Sequence, residues 1–179
     1  MITAVDLVRG IGKLAGLEAN SVPGATCFTD TNYGSKVQAA LDTLKRLDFV
    51  FVHVEAPDEC SHMGDLLKKI SAIEAFDRQV VGPMLKGLQA LGCPYRLIIG
   101  TDHCTPVSVR NHTPDPVPFA IMEGPVKMAL AEKPFDESVN GGKSQGLVFE
   151  WLKTSFRSAK SDGAAPKLSF PNPTQQGES

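Results

Sequence analysis

Two short stretches of the chain contain most of the residues that could bind a metal ion. Asp58 and His62 lie in the first stretch, and Asp102, His103 and His112 lie in the second. Three of the four histidines are therefore found in these two places. Carboxylate oxygen and imidazole nitrogen can share one divalent ion or bridge two. Because five such groups exceed the needs of one tetrahedral zinc, they predict a two-metal site, an arrangement that suits phosphoryl chemistry.

Simpler interpretations of single residues stay open at this point. One alternative is that Asp102 caps a turn and His103 packs beside it. The fourth histidine, His53, falls inside a predicted strand, where a hydrogen-bonded core histidine is favoured over a ligand. Glu59 and Asp65 are further carboxylates, but solvent exposure and helix capping explain them adequately.

Two apolar segments are predicted to carry the candidate ligands to one place. Residues 49–54 are rich in β-branched and aromatic side chains, which is typical of a buried strand. Residues 97–99 form an apolar run without charge and predict a strand that is buried on both faces, as in a parallel sheet. A loop is predicted at 55–65, after the first strand, and another follows the second strand. Ligand sites form at the carboxyl ends of such strands, so neighbouring strands would bring both loops together.

The remaining pattern predicts a single α/β domain with a largely parallel sheet and the order β-α-α-β-α-β-β-α. Further strands are expected at 1–5 and 117–122, and helices at 6–16, 33–47, 66–88 and 144–156. Thr31 or Asn32 is the expected cap of the second helix, and Gly82-Pro83 should kink or divide the third. The expected domain covers residues 1–157, and the polar segment 158–179, rich in Pro, Gly and Ser, should be a poorly ordered tail.

Composition excludes several function classes. Hydrophobic residues make up 42% of the 179 residues and charged residues 21%, which is typical of a soluble globular protein. The net charge of −2 gives no electrostatic footprint for nucleic acid. No apolar run approaches the ~20 residues of a membrane helix, and the first residues do not form a signal peptide. We therefore expect a cytoplasmic protein with reduced cysteines and without nucleic-acid or membrane partners.

Several segments together resemble a known family. APDECSH (56–62), TDHCTP (101–106) and RNHTPDPVPF (110–119) are similar, in this order, to the metal-binding motifs of the cofactor-independent (2,3-bisphosphoglycerate-independent) phosphoglycerate mutases, which belong to the alkaline phosphatase superfamily. ITAVDLVRGIGKLAGLE and VPGATCFTDTNYGSK resemble the archaeal-type branch of that family. The resemblance covers about residues 1–153. It implies an alkaline-phosphatase-like three-layer α/β sandwich with a mostly parallel sheet, of which this chain would be the C-terminal half of the metal-binding domain.

The resemblance also implies a role for each candidate ligand. Asp58, His62 and His112 would hold one divalent metal, usually manganese in the family, with magnesium, zinc or cobalt as alternatives. Asp102 and His103 would hold a second ion. In the family, that second site is completed by an aspartate and by the nucleophilic serine, both near the N-terminus of the full enzyme. No catalytic nucleophile is therefore expected in this chain.

The expected function is a part of a metal-dependent mutase that interconverts 3-phosphoglycerate and 2-phosphoglycerate through a phosphoserine intermediate. The chain alone is predicted to be inactive, because neither Ser61 nor Ser108 has an obvious activating geometry. Ser61 and Cys104 also replace a usual glycine and a usual proline, which could change the loops around the metals. Alternatives are another phosphomutase or phosphate-ester hydrolase of the superfamily, or a non-catalytic metal-binding domain. Self-association is expected if a half-domain exposes apolar surface.

Overall fold

The computed structural model describes residues 1–19 and 21–125. Its helices are α1 (Asp6–Leu14), α2 (Tyr33–Leu44), α3 (Ala56–His62), α4 (Leu66–Phe76) and α5 (Gly82–Leu91), and its strands are β1 (Tyr95–Gly100) and β2 (Phe119–Gly124). The predicted helix at 144–156 and the predicted tail at 158–179 lie outside the described residues. Among the helices described, none has the length and apolar character needed to cross a membrane.

Helix α2 begins at a side-chain cap and forms the centre of the core. The side-chain oxygen of Asn32 accepts a hydrogen bond from the backbone N–H of Ser35, so one of the two predicted caps is confirmed. The main cluster of buried apolar residues joins this helix to the segments around it and contains Ile2, Val22, Tyr33, Val37, Ala40, Val80, Met84 and Leu88. Packing of α2 against α5 and the turn before it therefore makes the core.

The predicted long helix is present from Leu66 to Leu91, but it is interrupted as its sequence suggests. A π-helical turn, Asp77–Val81, separates α4 from α5. Pro83 lies in the first turn of α5, and a proline without an N–H is tolerated there. Gly92 adopts a left-handed conformation with φ 68° and ends the run, as glycine commonly does at a helix C-terminus.

Only part of the apolar surface of this long helix is buried. Val80, Met84 and Leu88 lie in the core, whereas α4 exposes Leu66, Leu67, Ile70 and Ile73. Helix α1 is similar, because Leu7, Ile11 and Leu14 are 73%, 57% and 86% exposed. Within the described part of the chain, these two helices thus present apolar faces to solvent.

The predicted strands at 1–5 and 49–54 meet only at one isolated bridge. Ile2 and Val52 form an isolated parallel bridge, with Ile2 N–H donating to Phe51 O at 2.8 Å and His53 N–H donating to Ile2 O at 2.9 Å. The two segments are parallel as expected, but they do not form strands, and Phe51 is 41% exposed. The reason is that no further strand lies beside this pair in the described residues, so the pairing does not extend.

The strand that leads to the second group of candidate ligands is paired differently from the prediction. Strand β1 pairs with β2 in antiparallel register, with Tyr95 opposite Gly124 and Gly100 opposite Phe119. Alternate residues of β1 are exposed, so it is not buried on both faces. Strand β2 begins two residues later than predicted, after Pro118, because proline cannot donate to the ladder. Parallel pairing in the described residues is confined to the bridge at Ile2.

Candidate metal centre

Helix α3 places the first two candidate ligands on one face. The predicted loop over 55–65 is wrong, because residues 56–62 form a helix of about two turns. Pro57 stands in the first turn, where its fixed φ favours the helix, and Gly64 ends the segment with φ 74°. Since residues four apart share a helix face, Asp58 Oδ2 lies 3.2 Å from His62 Nε2.

The segment after β1 supplies the other three candidate ligands. Asp102 and His103 follow the strand after one intervening residue, Thr101. A bridge between Cys104 and Thr113, with the N–H of Thr113 donating to Cys104 O at 2.9 Å, then closes the loop. This closure returns His112 to His103, and the centroids of their rings are 3.6 Å apart. The loop therefore joins residues that are far apart in sequence.

Asp58, His62 and His112 meet at distances suited to one metal ion. His62 Nε2 lies 3.2 Å from His112 Nε2, and His112 Nε2 lies 3.7 Å from Asp58 Oδ1. Two ligand atoms that are each about 2.1 Å from one tetrahedral ion lie roughly 3.4 Å from each other. The observed separations of 3.2 to 3.7 Å are close to that value, with Oδ2 of Asp58 facing His62 and Oδ1 facing His112.

The other two candidates belong to the same cluster. Asp102 Oδ2 lies 3.4 Å from His103 Nε2, and His103 Nδ1 lies 4.0 Å from Asp58 Oδ1. Asp58, His103 and His112 can each offer one ligand atom within 4.8 Å of the others. The structure thus brings all five predicted residues together. It does not separate them into the two predicted ligand sets, and that division stays a prediction.

Neighbouring groups orient two of the histidine rings. The backbone carbonyl of Arg110 is 2.9 Å from His62 Nδ1, so that nitrogen donates and Nε2 is left with its lone pair. The hydroxyl of Thr105 donates to Asp58 Oδ1 and lies 3.1 Å from His103 Nδ1, from which it can accept. His103 Nε2 is therefore also an acceptor.

This orientation makes acceptor atoms face one another. The Nε2 lone pair of His62 faces Asp58 Oδ2 at 3.2 Å, and that of His103 faces Asp102 Oδ2 at 3.4 Å. Such pairs repel unless a proton or a cation lies between them. Nitrogen and carboxylate oxygen are also ligands that zinc and manganese accept. The donor set therefore fits a divalent metal.

The two orienting residues could not be found from the sequence pattern. Thr105 is a common residue in a loop, and Arg110 acts through its main chain. Arg110 is also the one non-glycine residue with positive φ, 55°, among those described, and left-handed backbone of this kind clusters at functional sites. Its guanidinium packs over Gly64, where a Cβ would collide with Arg110 Nε. No periodic pattern in the sequence predicts the contacts of Thr105 or the backbone conformation of Arg110.

A buried ion pair lies behind the cluster. Lys36 is fully buried and Glu55 is 6% exposed, and Lys36 Nζ lies 3.2 Å from Glu55 Oε2. Lys36 Nζ also donates to the carbonyl of His53 at 3.0 Å. Burial acts to raise the pKa of Glu55, but the contacts with His53 and Lys36 outweigh it and hold that pKa at about 2. The Glu55 carboxyl is therefore ionised at neutral pH.

His53 connects this pair to the cluster. It has hydrogen-bond partners, as predicted, in Thr3 Oγ1 at 3.2 Å and Glu55 Oε1 at 3.0 Å. Its other nitrogen, Nε2, lies 3.9 Å from Asp102 Oδ2. Asp102 and then Glu55 raise the pKa of His53 to about 9 against the effect of burial, and His53 in turn lowers the pKa of Asp102 to about 2.

Comparison with protein families gives this geometry its context. A family model described as the metalloenzyme superfamily matches residues 1–147. The chain belongs to the metalloenzyme superfamily. All five predicted ligands of this superfamily member lie inside the matched residues, and membership implies that divalent metal is bound. The predicted fold class, an alkaline-phosphatase-like α/β fold, is thereby confirmed.

Individual relatives confirm the resemblance to phosphoglycerate mutases. The chain is 49% identical over 148 residues to the 2,3-bisphosphoglycerate-independent phosphoglycerate mutase of Methanosarcina acetivorans and 53% identical over 148 residues to that of Methanothrix thermoacetophila. These matches cover 83% of this superfamily member but only 37% and 38% of the relatives, so the chain spans less than two-fifths of their length. The solved structure of the PH0037 protein from Pyrococcus horikoshii is similar with a TM-score of 0.64 and 35% identity, covering 70% of this chain and 37% of that one.

Proposed function

We propose that this chain supplies metal-binding residues to a phosphoglycerate mutase, an enzyme that interconverts 3-phosphoglycerate and 2-phosphoglycerate. The observation that carries the proposal is the meeting of Asp58, His62 and His112 at 3.2 to 3.7 Å, with ring nitrogens that face acceptors. The names of relatives that are 49% and 53% identical supply the reaction and the small-molecule substrate.

Two divalent ions are proposed, with manganese favoured by the family resemblance. Asp58, His62 and His112 would hold one ion, and Asp102 and His103 would contribute to the other. When bound, such ions supply the positive charge that stabilises a phosphoryl group in transfer. The protein's own contribution is to fix these ligands in advance through the neighbours of their side chains.

The nucleophile is proposed to be a serine that is not among the residues of this chain. Ser61 is unsuited to the role, because its side chain is buried and its hydroxyl donates to Pro57 O at 2.9 Å. A buried and satisfied hydroxyl is neither accessible to a phosphate ester nor activated by a base. The same contact explains how a serine is accommodated beside His62, where the family usually has glycine. The chain alone is thus expected to lack mutase activity.

The proposed setting is cytoplasmic. The apolar faces of α1 and α4 would favour self-association when the chain is isolated, because exposed patches of this kind mark interaction surfaces.

Metal content tests the first part of this proposal. The purified chain is dialysed against Mn²⁺, freed of unbound ion and submitted to elemental analysis. At least about one equivalent should be retained, as expected for a converged ligand set. The Asp58→Asn variant should retain far less, whereas Glu59→Gln, the neighbouring carboxylate on α3, should match the parent chain. Retention well below one equivalent by the parent chain would contradict the proposed metal site.

Turnover tests the second part. A longer protein that contains this chain and its proposed serine should convert 3-phosphoglycerate, and His62→Ala or Asp102→Ala should abolish that conversion while the fold persists. A wild-type rate in either variant would reject the ligand assignment. Hydrolysis of a simple phosphate ester without mutase turnover would instead support the phosphate-ester hydrolase alternative.

A further inference from the structure

The one histidine outside the predicted ligand set lies between two carboxylates. His53 Nδ1 is 3.0 Å from Glu55 Oε1, and its Nε2 is 3.9 Å from Asp102 Oδ2. The first distance is that of a hydrogen bond, and the second is that of an ion pair. Ionised carboxylates only accept hydrogen bonds, so the ring faces an acceptor at each nitrogen. The ring therefore lies between the two carboxylates, with one nitrogen toward each.

The orientation of this ring is set from the interior of the protein. Glu55 Oε2 receives Lys36 Nζ at 3.2 Å, and its Oε1 receives the hydroxyl of Thr3 at 3.2 Å and the N–H of Ala4 at 3.3 Å. Because Lys36 is fully buried and Glu55 almost so, the carboxylate has little freedom to turn. Because Glu55 holds His53 at Nδ1, it also fixes the direction in which His53 Nε2 points.

Asp102 needs such support more than the other candidate ligands do. Its side chain is 65% exposed, against 31% for Asp58, and it lies in the loop just after β1. The N–H of His103 donates to its Oδ1 at 3.1 Å, which leaves Oδ2 to be held by other groups. We propose that His53 is a positioning residue that holds Asp102 for metal binding, with the Lys36–Glu55 pair fixing its ring.

The inference rests on the proposed metal site, and its test measures metal affinity rather than turnover. Mn²⁺ binding to the full 179-residue chain is measured by equilibrium dialysis. His53→Phe keeps the size of the ring and removes both nitrogens, and the dissociation constant of the ion that Asp102 helps to hold should rise about 10- to 100-fold, as for other groups that orient metal ligands. His53→Gln places an amide N–H near the position of Nε2 and should recover part of the loss.

Two further variants make this result specific. Thr3→Val removes the hydroxyl that contacts both His53 and Glu55, and it should weaken Mn²⁺ binding in the same direction by less. It also serves as the test if thermal melting shows that His53→Phe does not fold. Glu59→Gln is the matched control and should leave the affinity unchanged.

The absorption spectrum of bound Co²⁺ separates positioning from ligation. At saturation, His53→Phe should show the band positions of the parent chain, because the ligands themselves are unchanged. Shifted bands would mean that His53 binds the metal directly and would overturn the positioning role. An Mn²⁺ affinity of His53→Phe within twofold of the parent would overturn it as well. If the parent chain binds neither ion, the proposed metal site fails and the inference fails with it.

Discussion

The buried Lys36–Glu55 pair and the ligand cluster around Asp58 treat charge in opposite ways. In the pair, which is 0% and 6% exposed, each charged group meets its counterpart or a hydrogen-bond partner inside the chain. In the cluster, the side chains of Asp58 and His112 are 31% and 50% exposed, and acceptor atoms face each other. The pair is satisfied by groups of the chain itself, whereas the facing acceptors of the cluster repel each other unless a proton or a cation lies between them. The first arrangement therefore contributes to the core, and the second provides binding capacity.

The largest effect on stability is expected from breaking the buried Lys36–Glu55 pair. Glu55→Leu leaves the Lys36 ammonium buried without a carboxylate, and the free energy of unfolding should fall by about 3–5 kcal/mol. Urea unfolding of the chain measures this loss. The double variant Lys36→Met/Glu55→Leu should recover most of it, because two apolar side chains leave no isolated charge. If Glu55→Leu is as stable as the parent chain, the pair does not contribute to the core.

A change in the ligand cluster should affect metal affinity and leave the stability of the metal-free chain almost unchanged. Asp58→Asn keeps the shape of the side chain and an acceptor for Thr105, so the metal-free chain should unfold within about 0.5 kcal/mol of the parent. Its affinity for Mn²⁺ should nevertheless fall by about 100-fold or more, since a ligand is lost. Urea unfolding in the presence of a chelator and calorimetric titration give the two numbers. A large loss of metal-free stability would mean that the cluster is structural.

Lowering the pH should remove the stabilising effect of the Lys36–Glu55 pair over a defined pH range. The pKa of Glu55 is about 2 in the folded chain, below its ordinary value of 4.5. A depressed carboxyl pKa contributes stability that is present above the ordinary value and is lost as the pH falls through the folded value. The parent chain should therefore lose stability between pH 4.5 and 2 more steeply than the Lys36→Met/Glu55→Leu variant. Urea midpoints measured across that range test this, and parallel curves would contradict it.

A smaller effect is expected from the residue that orients two ligands. Thr105→Val removes the hydroxyl between Asp58 and His103, and Mn²⁺ affinity should fall about tenfold with the ligands still present. Thr113→Val is a matched control, because the Thr113 hydroxyl is buried without a hydrogen-bond partner in the described part of the chain. Calorimetric titration should show no loss for this control, and equal losses in both variants would rule out a specific role for Thr105.

The sequence predicts which residues form the candidate cluster but not the way they are held. Asp58 and His62 are recognisable from motif and spacing, yet their segment was predicted as a loop, since Pro57 and Gly64 suggest one. Pro57 instead starts α3, and only the glycine ends it. Local signals such as the cap at Asn32 and the stop at Gly92 were predictable, because they depend on neighbouring residues alone.

Features that depend on distant partners could not be predicted. Lys36 and Glu55 are 19 residues apart, and nothing in the periodicity of either segment indicates that they pair. The exposure of α1 and of alternate residues in β1 likewise depends on which other segments cover them. Apolar patterns showed where side chains could pack but not whether a neighbour was there to cover them.

The burial of Lys36 has a consequence for chemical labelling of the chain. Acylating reagents modify amines that solvent can reach, and the amine of Lys36 is fully enclosed. Its modification therefore requires that α2 and the segment around Glu55 first move apart. Peptide mass spectrometry during acylation would then record, at this single lysine, how often that part of the protein opens.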